Sequence, residues 1–493
     1  MNINPMLLTD FYKISHKIMS EKGTEKIYST FTPRDSRIEG IKEVVFFGLQ
    51  GFIKEFLIDY FNDNFFSQDK KIVVSDYKRI IKYTLGGNCS NTEHIEALHD
   101  LGYLPLQIKA VKEGTITPIR VPVFTIENTH KDFYWLTNFL ETLISVESWK
   151  AITVATICKR YRDISNKFAD ETCDNRSHVQ WQNHNFSYRG MSSNSDAIKS
   201  GAAHLLFSTG TDTIPSICYL EKYYGANVGT ELVSASVLAT EHSIQCGYND
   251  DYKYFKTMIT EIAPSGIISI VSDGYDYWHV ISNIIPALKS EILGRDGKLV
   301  CRPDSGSPVK IICGDNESDI ECIKKGSVEC LWDTFGGTIN SKGYKVLDSH
   351  IGIIYGDSIT PERSEEILYK LKEKGFAASN VVFGVGSYSL GLHTRDTFGM
   401  AIKATYTIIN GKEISIFKDP KTDSGMKKSQ KGKVAVIKNK ENKIVCIDEL
   451  NNEQEQNVEN NLLEDVFLDG KLLREQSLSE IREILNSNIK GQN

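Results

Sequence analysis

Through the middle of the chain, short apolar runs alternate with amphipathic stretches, and each run stops at a polar loop of small residues. Gly266-Ile267-Ile268-Ser269-Ile270-Val271 predicts a buried strand ending in Ser272-Asp273-Gly274, with an amphipathic helix from about Tyr275 to Ser290 behind it. Leu299-Val300-Cys301 predicts the next strand. It runs into Arg302-Pro303-Asp304-Ser305-Gly306, where a proline sets φ between two opposite charges. A third run, Ile351 to Tyr355, ends in Gly356-Asp357. After it Thr360 predicts an N-cap, Pro361 suits the first turn, Ile367, Leu368 and Leu371 mark one face, and Gly375 closes the helix. A fourth run, Asn380 to Phe383, empties into Gly384-Val385-Gly386-Ser387.

Strands alternating with helices in this way predict βα units on a parallel sheet, a texture that begins near residue 146. Parallel strands joined by crossover helices share one edge at their carboxyl ends. Asp273, Arg302, Asp304, Asp357 and the Gly384/Gly386 loop are therefore expected to face one cavity. The two ends of the chain read differently. Ile27 to Phe31 alternates as a half-buried strand does and turns at Pro33-Arg34-Asp35; Gly114 to Val123, β-branched and punctuated by proline, predicts edge strands. Ala401 to Ile409 predicts a strand with a hairpin turn at Asn410-Gly411, and Ser477 to Leu485 a short amphipathic helix. Gly314 to Lys342, rich in charge, cysteine and glycine, reads as an insertion outside the core. There are no internal repeats.

At 493 residues, with 40% hydrophobic and 25% charged, the chain exceeds one ordinary domain, so two domains or a barrel with a substantial annex are expected. A net charge of -7 argues against a nucleic-acid partner, which demands a broad basic surface. Any phosphate must meet a local cluster, and Lys418, Lys421, Lys427, Lys428, Lys431 and Lys433 gather late in the chain. The ten cysteines are scattered, without Cys-x-x-Cys or zinc-ligand spacing, which fits reduced thiols in the cytoplasm. Residues 1–10 lack a basic segment followed by an apolar one, and no apolar run nears the roughly 20 residues of a spanning helix, so neither signal peptide nor membrane segment is expected.

Several standard signatures are absent: there is no Gly-x-x-x-x-Gly-Lys loop, no third glycine completing a dinucleotide fingerprint after Gly384-x-Gly386, and no Gly-x-Ser-x-Gly elbow. What remains suits a polyphosphate and a sugar. Glycines at a strand end let backbone N–H groups approach an anion, and facing aspartates accept from ribose hydroxyls or hold a metal-bound phosphate. Taken singly, each residue also has an ordinary role. Gly384 and Gly386 fit a tight turn, Asp357 a turn, Phe186 a core, Asp212 the N-cap of the helix begun by Pro215, and His242 a structural histidine.

Set in order, the motifs resemble the nicotinamide phosphoribosyltransferase family: Thr9-Asp10-x-Tyr12-Lys13, Phe186-x-Tyr188-Arg189-Gly190, Gly210-Thr211-Asp212-Thr213, Glu241-His242-Ser243, Val271-Ser272-Asp273-x-Tyr275-Asp276, Arg302-Pro303-Asp304-Ser305-Gly306, Ser341-Lys342-Gly343-Tyr344-Lys345, Gly356-Asp357, Thr394-Arg395-Asp396 and Phe417-Lys418-Asp419-Pro420. They run nearly end to end. The resemblance implies an irregular α/β barrel over 146–395, with a β-rich annex built from 1–145 and 396–493. It implies a homodimer that joins nicotinamide to phosphoribosyl pyrophosphate, with Mg2+ and with ATP as co-substrate, for NAD salvage.

It also implies roles. Phe186 and the partner subunit's Tyr12 sandwich the pyridine ring, and Asp212 accepts from the carboxamide NH2 with Ser269 and Arg302 nearby. Asp304 and Gly356 meet the ribose; Gly386 and Ser387 cradle the 5′-phosphate; Asp357 belongs to the phosphoribosyl pyrophosphate site; Arg189, Asp273 and Asp304 edge the pyrophosphate and its Mg2+. Arg34, Arg395, Lys403, Lys418 and Lys427 resemble basic residues reaching in from the partner. His242 matches the histidine that ATP phosphorylates, and together with Asp304, Asp273 and Arg302 it forms the implied catalytic set. One departure stands out: Gly386-Ser387-Tyr388 replaces the family's run of glycines. Two rival readings remain at this point, a nicotinate phosphoribosyltransferase and a nucleotide-binding protein without catalysis.

Overall fold

The apolar runs of mid-chain become parallel strands of one sheet in the computed structural model, which describes residues 3–418 and 429–490. In chain order these strands are β1 (Asn183–Asn185), β2 (Gly210–Thr211), β3 (Leu238–Ala239), β4 (Ser265–Val271), β5 (Asp296–Arg302), β6 (Ile351–Tyr355) and β7 (Val381–Val385). Neighbours in sequence are neighbours in the sheet, and β7 returns to pair with β1 through Phe383 and Asn183. A parallel bridge from Gly210 to Ala235, just ahead of β3, brings β2 to the other edge. The sheet thus curls back on itself as an irregular barrel.

Every second residue of β5 faces inward: Lys298, Val300 and Arg302 line the lumen, while Leu299 and Cys301 are wholly buried. Because the pairing is parallel, all seven carboxyl ends lie on one rim. The helix after β6 spans Pro361–Glu373, capped by Thr360, whose hydroxyl accepts from the Arg363 N–H at 3.2 Å. The helix expected from Tyr275 starts at Tyr277 instead. The Asp276 carboxylate accepts from His279 N–H and sets that start.

The segment from Gly314 to Lys342 departs from its expected place outside the core. Its helix Ser327–Phe335 buries Val328, Leu331 and Phe335, a face spaced by three and four residues that the surrounding charges disguise. The Gly337–Ile339 strand, paired with Lys345–Leu347, does stand exposed.

The sheet unit comprises Ile157–Cys218 and Asn227–Leu392, and the remaining described residues form a second unit. The seam expected near residue 146 falls within the helix Glu141–Thr172, whose unbroken periodicity conceals a change of unit. The second unit is built on an antiparallel sheet drawn from both ends of the chain, ordered 412–415, 401–409, 24–32, 124–128, 106–110, 464–468 and 471–472. Its central strand Thr24–Thr32 does not alternate as expected, since Tyr28 to Thr32 are all buried. Both faces are covered. On one of them Phe31 stacks on Phe124 at 4.6 Å and the Ser29 hydroxyl donates to Asn138 Oδ1 at 2.8 Å; on the other the Thr30 and Thr32 hydroxyls donate to Gln430 Oε1 at 3.4 and 3.2 Å. Proline-rich Ile116–Pro118 pairs with Glu43–Val45 in a two-stranded sheet. At the hairpin turn Asn410 and Gly411 both take positive φ, as a two-residue turn of this hand requires. The last helix runs Leu478–Lys490, longer than its apolar face predicted.

Candidate active site

Each strand of the barrel ends in a residue of chemical interest. Phe186 follows β1, Asp212 follows β2, His242 comes three residues after β3, Asp273 two after β4 and Asp304 two after β5. Gly356 and Asp357 follow β6; Gly386 and Ser387 follow β7. Ten of the expected residues, Phe186, Arg189, Asp212, His242, Arg302, Asp304, Gly356, Asp357, Gly386 and Ser387, line one cavity of about 780 Å3. Asp273 lies beneath it, its side chain 2% exposed. A second cavity of about 330 Å3 continues into the barrel, sharing Phe186, Asp212 and Arg302 and adding Ser269. The Ser269 hydroxyl is buried with no hydrogen-bond partner among the described residues.

The chain makes the aromatic end by close approach. Phe186 N–H donates to the Val385 carbonyl at 2.9 Å, and its ring lies over Gly384, where a Cβ would come within 2.7 Å of the ring. Any larger residue would displace it. Asn185 Oδ1 accepts from both the N–H and the hydroxyl of Ser187 at 2.8 Å, fixing the turn that carries Tyr188 and Arg189. Next door, a Cβ on Gly190 would fall 2.0 Å from Ser387 Oγ, so a glycine is needed there to seat that serine.

Asp212 is not a helix cap. Its Oδ1 accepts from His184 Nε2 at 2.8 Å and from the Ser236 hydroxyl at 2.9 Å. Burial pushes the carboxyl pKa up, but the His184 hydrogen bond and charge, the Ser236 hydroxyl and the Arg302 guanidinium together hold it below the usual aspartate value. His184 also packs against the Phe186 ring, centroids 4.7 Å apart. Sequence reasoning missed both partners. His184 was findable, standing two residues before Phe186 on a strand and so on the same face; Ser236 carries no such signal.

The opposite end holds three titratable groups. His242 Nε2 lies 3.1 Å from Asp273 Oδ1 and 3.6 Å from Asp304 Oδ1. Asp273 Oδ2 accepts from the N–H groups of Asp304 and Ser305, at 3.0 and 2.9 Å, and from the Ser305 hydroxyl at 2.6 Å. Burial again opposes ionisation of Asp273, and the Ser305, Asp304 and His242 hydrogen bonds overcome it, lowering its pKa. Asp304 goes the other way. Burial and the neighbouring Asp273 charge raise its pKa, outweighing His242 and Arg302. Between the two ends, the Arg302 guanidinium donates to the Thr240 carbonyl. One ligand atom from each of His242, Asp273 and Asp304 falls within 4.8 Å of the others, a set with the charge and hardness to hold a divalent cation.

The remaining expected residues belong to the second unit. Tyr12 is 57% exposed beside exposed Phe11. Lys403 lies 3.7 Å from Glu141, and burial lowers its ammonium pKa, with the charges of Arg34, Lys13 and Lys418 acting in the same sense, so basic residues far apart in sequence are gathered there. Arg34 donates to the Gly399 carbonyl at 2.8 Å, and Arg395 pairs with Asp396 at 3.4 Å. Lys427, with Lys421, Lys428 and the Asp419-Pro420 step, lies outside the described residues.

Comparison with known proteins adds lineage to this geometry. The model of the nicotinate phosphoribosyltransferase (NAPRTase) family matches residues 181–471, and that of the nicotinamide phosphoribosyltransferase N-terminal domain matches residues 4–108. A curated nicotinamide phosphoribosyltransferase of Acinetobacter baylyi is 47% identical over 99% of this chain and 98% of its own. One of Mycoplasma genitalium is 36% identical over 87% and 95%. In fold the chain is similar to a nicotinate-nucleotide pyrophosphorylase of Pyrococcus furiosus, with TM-score 0.58 and 16% identity over 99% of this chain and 96% of the other. It is also similar to human nicotinic acid phosphoribosyltransferase, with TM-score 0.53 and 13% identity over 98% and 94%.

Proposed function

The chain belongs to the nicotinate phosphoribosyltransferase family, within it to the nicotinamide phosphoribosyltransferases, and from that premise we propose how its residues divide the work of joining nicotinamide to phosphoribosyl pyrophosphate in NAD salvage. The observation that carries the choice of base is the carboxylate of Asp212, held ionised beside Phe186. Its Oδ1 is taken by His184 and Ser236, so Oδ2 accepts from the carboxamide NH2. A nicotinate carboxylate placed there would meet like charge. The buried, unpartnered Ser269 hydroxyl supplies a further hydrogen bond to the carboxamide.

The reaction breaks the bond from the anomeric carbon to pyrophosphate, whose oxygen keeps the electron pair, and forms a bond from the same carbon to the pyridine nitrogen. The nitrogen already has its lone pair, so no proton need be removed. Catalysis is then positioning and electrostatics about an oxocarbenium-like state. Phe186 holds one face of the ring, Arg302 borders both cavities, Asp304 and Gly356 meet the ribose, Gly386 and Ser387 meet the 5′-phosphate, Asp357 lines the phosphoribosyl pyrophosphate site, and Arg189 faces the pyrophosphate. Asp273 and Asp304 are the groups that would hold Mg2+, as the repulsion raising Asp304 is what a cation relieves. When bound, the ion supplies charge neutralisation to the leaving pyrophosphate.

His242 is the proposed phosphoryl acceptor for ATP coupling. The Asp273 carboxylate holds the Nε2 proton and leaves the lone pair on Nδ1, where the N–P bond forms as ADP departs with the electron pair of the broken P–O bond. In a homodimer, the partner subunit's Tyr12 covers the other ring face, and the partner's Arg34, Arg395, Lys403 and Lys418 reach the phosphates. The exposure of Tyr12 and the basic gathering about Lys403 support this. Among the described residues no helix is long and apolar enough to cross a membrane, and all ten cysteines are unpaired, which supports a cytoplasmic enzyme.

The deciding experiment supplies phosphoribosyl pyrophosphate with nicotinamide or nicotinate, with and without ATP, and identifies the products. Nicotinamide mononucleotide with pyrophosphate, made faster when ATP is cleaved and only if His242 is intact, is expected. Nicotinate mononucleotide as main product would overturn the assignment of base, and binding without pyrophosphate release would overturn catalysis. Mixed Phe186→Ala and Arg395→Ala chains regain activity if sites are shared, and stay inactive otherwise.

A further inference from the structure

The loops after β6 and β7 face one another across the end of the cavity that takes the sugar phosphate. They are laced together twice. The inner lace is Tyr161, buried at 2% exposure. Its hydroxyl donates to the Ile359 carbonyl at 2.7 Å and lies 2.7 Å from the Ser389 hydroxyl, joining the segment just past Asp357 to the turn just past Ser387. The outer lace is Arg363. Its Nη1 donates to the Ser358 carbonyl at 2.5 Å, and its guanidinium carbon sits 5.8 Å from the centroid of the Tyr388 ring. Ser358 has φ of 50°, a left-handed conformation that a serine seldom adopts, at the residue following Asp357. A charged donor on its carbonyl is well placed to hold it there.

From these contacts we propose that Arg363 is a positioning residue for the phosphoribosyl group: through Ser358 and Tyr388 it fixes the spacing between the Asp357 loop and the Gly386-Ser387 turn. It touches no substrate. The Gly386-Ser387-Tyr388 sequence offers a reason for the device. A run of glycines bends to fit an anion at the cost of ordering a flexible loop, whereas a serine and a tyrosine need the turn held in place beforehand. Tyr388 has no place among the residues lining the cavity and is 54% exposed, so its ring is available to the arginine rather than to the ligand. The identity of the anion rests on the function proposed above; the lacing itself does not.

Steady-state kinetics on the full chain test this. Arg363→Ala is expected to raise KM for phosphoribosyl pyrophosphate about tenfold, the scale of one lost hydrogen bond from a charged group, and Tyr388→Ala about fourfold, the scale of one exposed cation–π contact, while KM for nicotinamide moves less than about twofold. Tyr388→Phe keeps the ring and is expected to match the parent chain. The double variant is expected to be no worse than Arg363→Ala alone, because both single changes cut the same lace. Tyr388→Ala lies at a half-exposed position, so the test stands even if Arg363→Ala folds poorly. Unchanged KM for phosphoribosyl pyrophosphate in the folded variants, equal rises in both KM values, or multiplicative losses in the double variant would each overturn the proposal. A parent chain that releases no pyrophosphate would instead overturn the function reading.

Discussion

The two ends of the barrel mouth use the same pair of residue types, and at both the aspartate of the pair is lowered. At the end holding Phe186, Asp212 meets His184 at 2.8 Å; at the other end Asp273 meets His242 at 3.1 Å. The difference is a second carboxylate. Asp212 has one imidazole, one hydroxyl and a guanidinium about it, and is lowered. At the other end Asp273 takes the backbone N–H groups and most of the hydrogen bonds, leaving Asp304 to be raised by burial and by the Asp273 charge. A lone, well-partnered carboxylate recognises an amide. A pair in which one member is left short of partners invites a cation.

That contrast is broken most severely at Asp304. Asp304→Asn is expected to cut kcat/KM for phosphoribosyl pyrophosphate by about 100-fold or more, a loss on the scale of one preorganised electrostatic group, with nicotinamide binding nearly unchanged. Equal losses for both substrates would show that the ends are not separate. Asp212→Asn is the next largest: the preference for nicotinamide over nicotinate should fall by about tenfold, since an amide no longer repels the acid. Retained selectivity in competition assays would remove Asp212 from that role.

The smallest effect is one of pH. A raised carboxyl takes up its proton above the ordinary aspartate value of about 4, and a lowered one below it. On acidification Asp304 therefore protonates before Asp212 and Asp273. KM for phosphoribosyl pyrophosphate should rise at a pH where KM for nicotinamide is still flat, and Asp273→Asn, by removing the like charge, should move that limb to lower pH. Coincident limbs would contradict the separation.

Much of this site was legible in the chain because strand ends announce themselves. An apolar run that stops at Ser272-Asp273, Pro303-Asp304 or Gly356-Asp357 marks both the strand and the rim, and parallel pairing does the rest. His184 went unread because a three-residue strand of polar residues does not announce itself as a strand, although its spacing of two from Phe186 puts both on one face once the strand is known. The buried face of Ser327–Phe335 went unread because charge and glycine around it mimic a surface loop. The central strand Thr24–Thr32 misled for a related reason: polar Ser29 and Thr30 look solvent-facing until their partners, Asn138 and Gln430, arrive from far along the chain.

By itself the sequence determined the βα units, their shared rim and the Asp273, Arg302, Asp304, Asp357 and Gly384/Gly386 positions on it, because these depend on local periodicity and on the rule that parallel strands end together; Phe186, Asp212 and His242 were expected there only from the family resemblance. It did not determine which carboxylate is lowered and which raised. That depends on distances of a few ångströms between groups tens of residues apart, Asp212 to Ser236 and Asp273 to Ser305 among them, and on how much water each retains. Nor did it show that Arg363 joins the loops after β6 and β7. A guanidinium reaching a carbonyl five residues back and a ring twenty-five residues on is a fact of packing, and only the folded chain contains it.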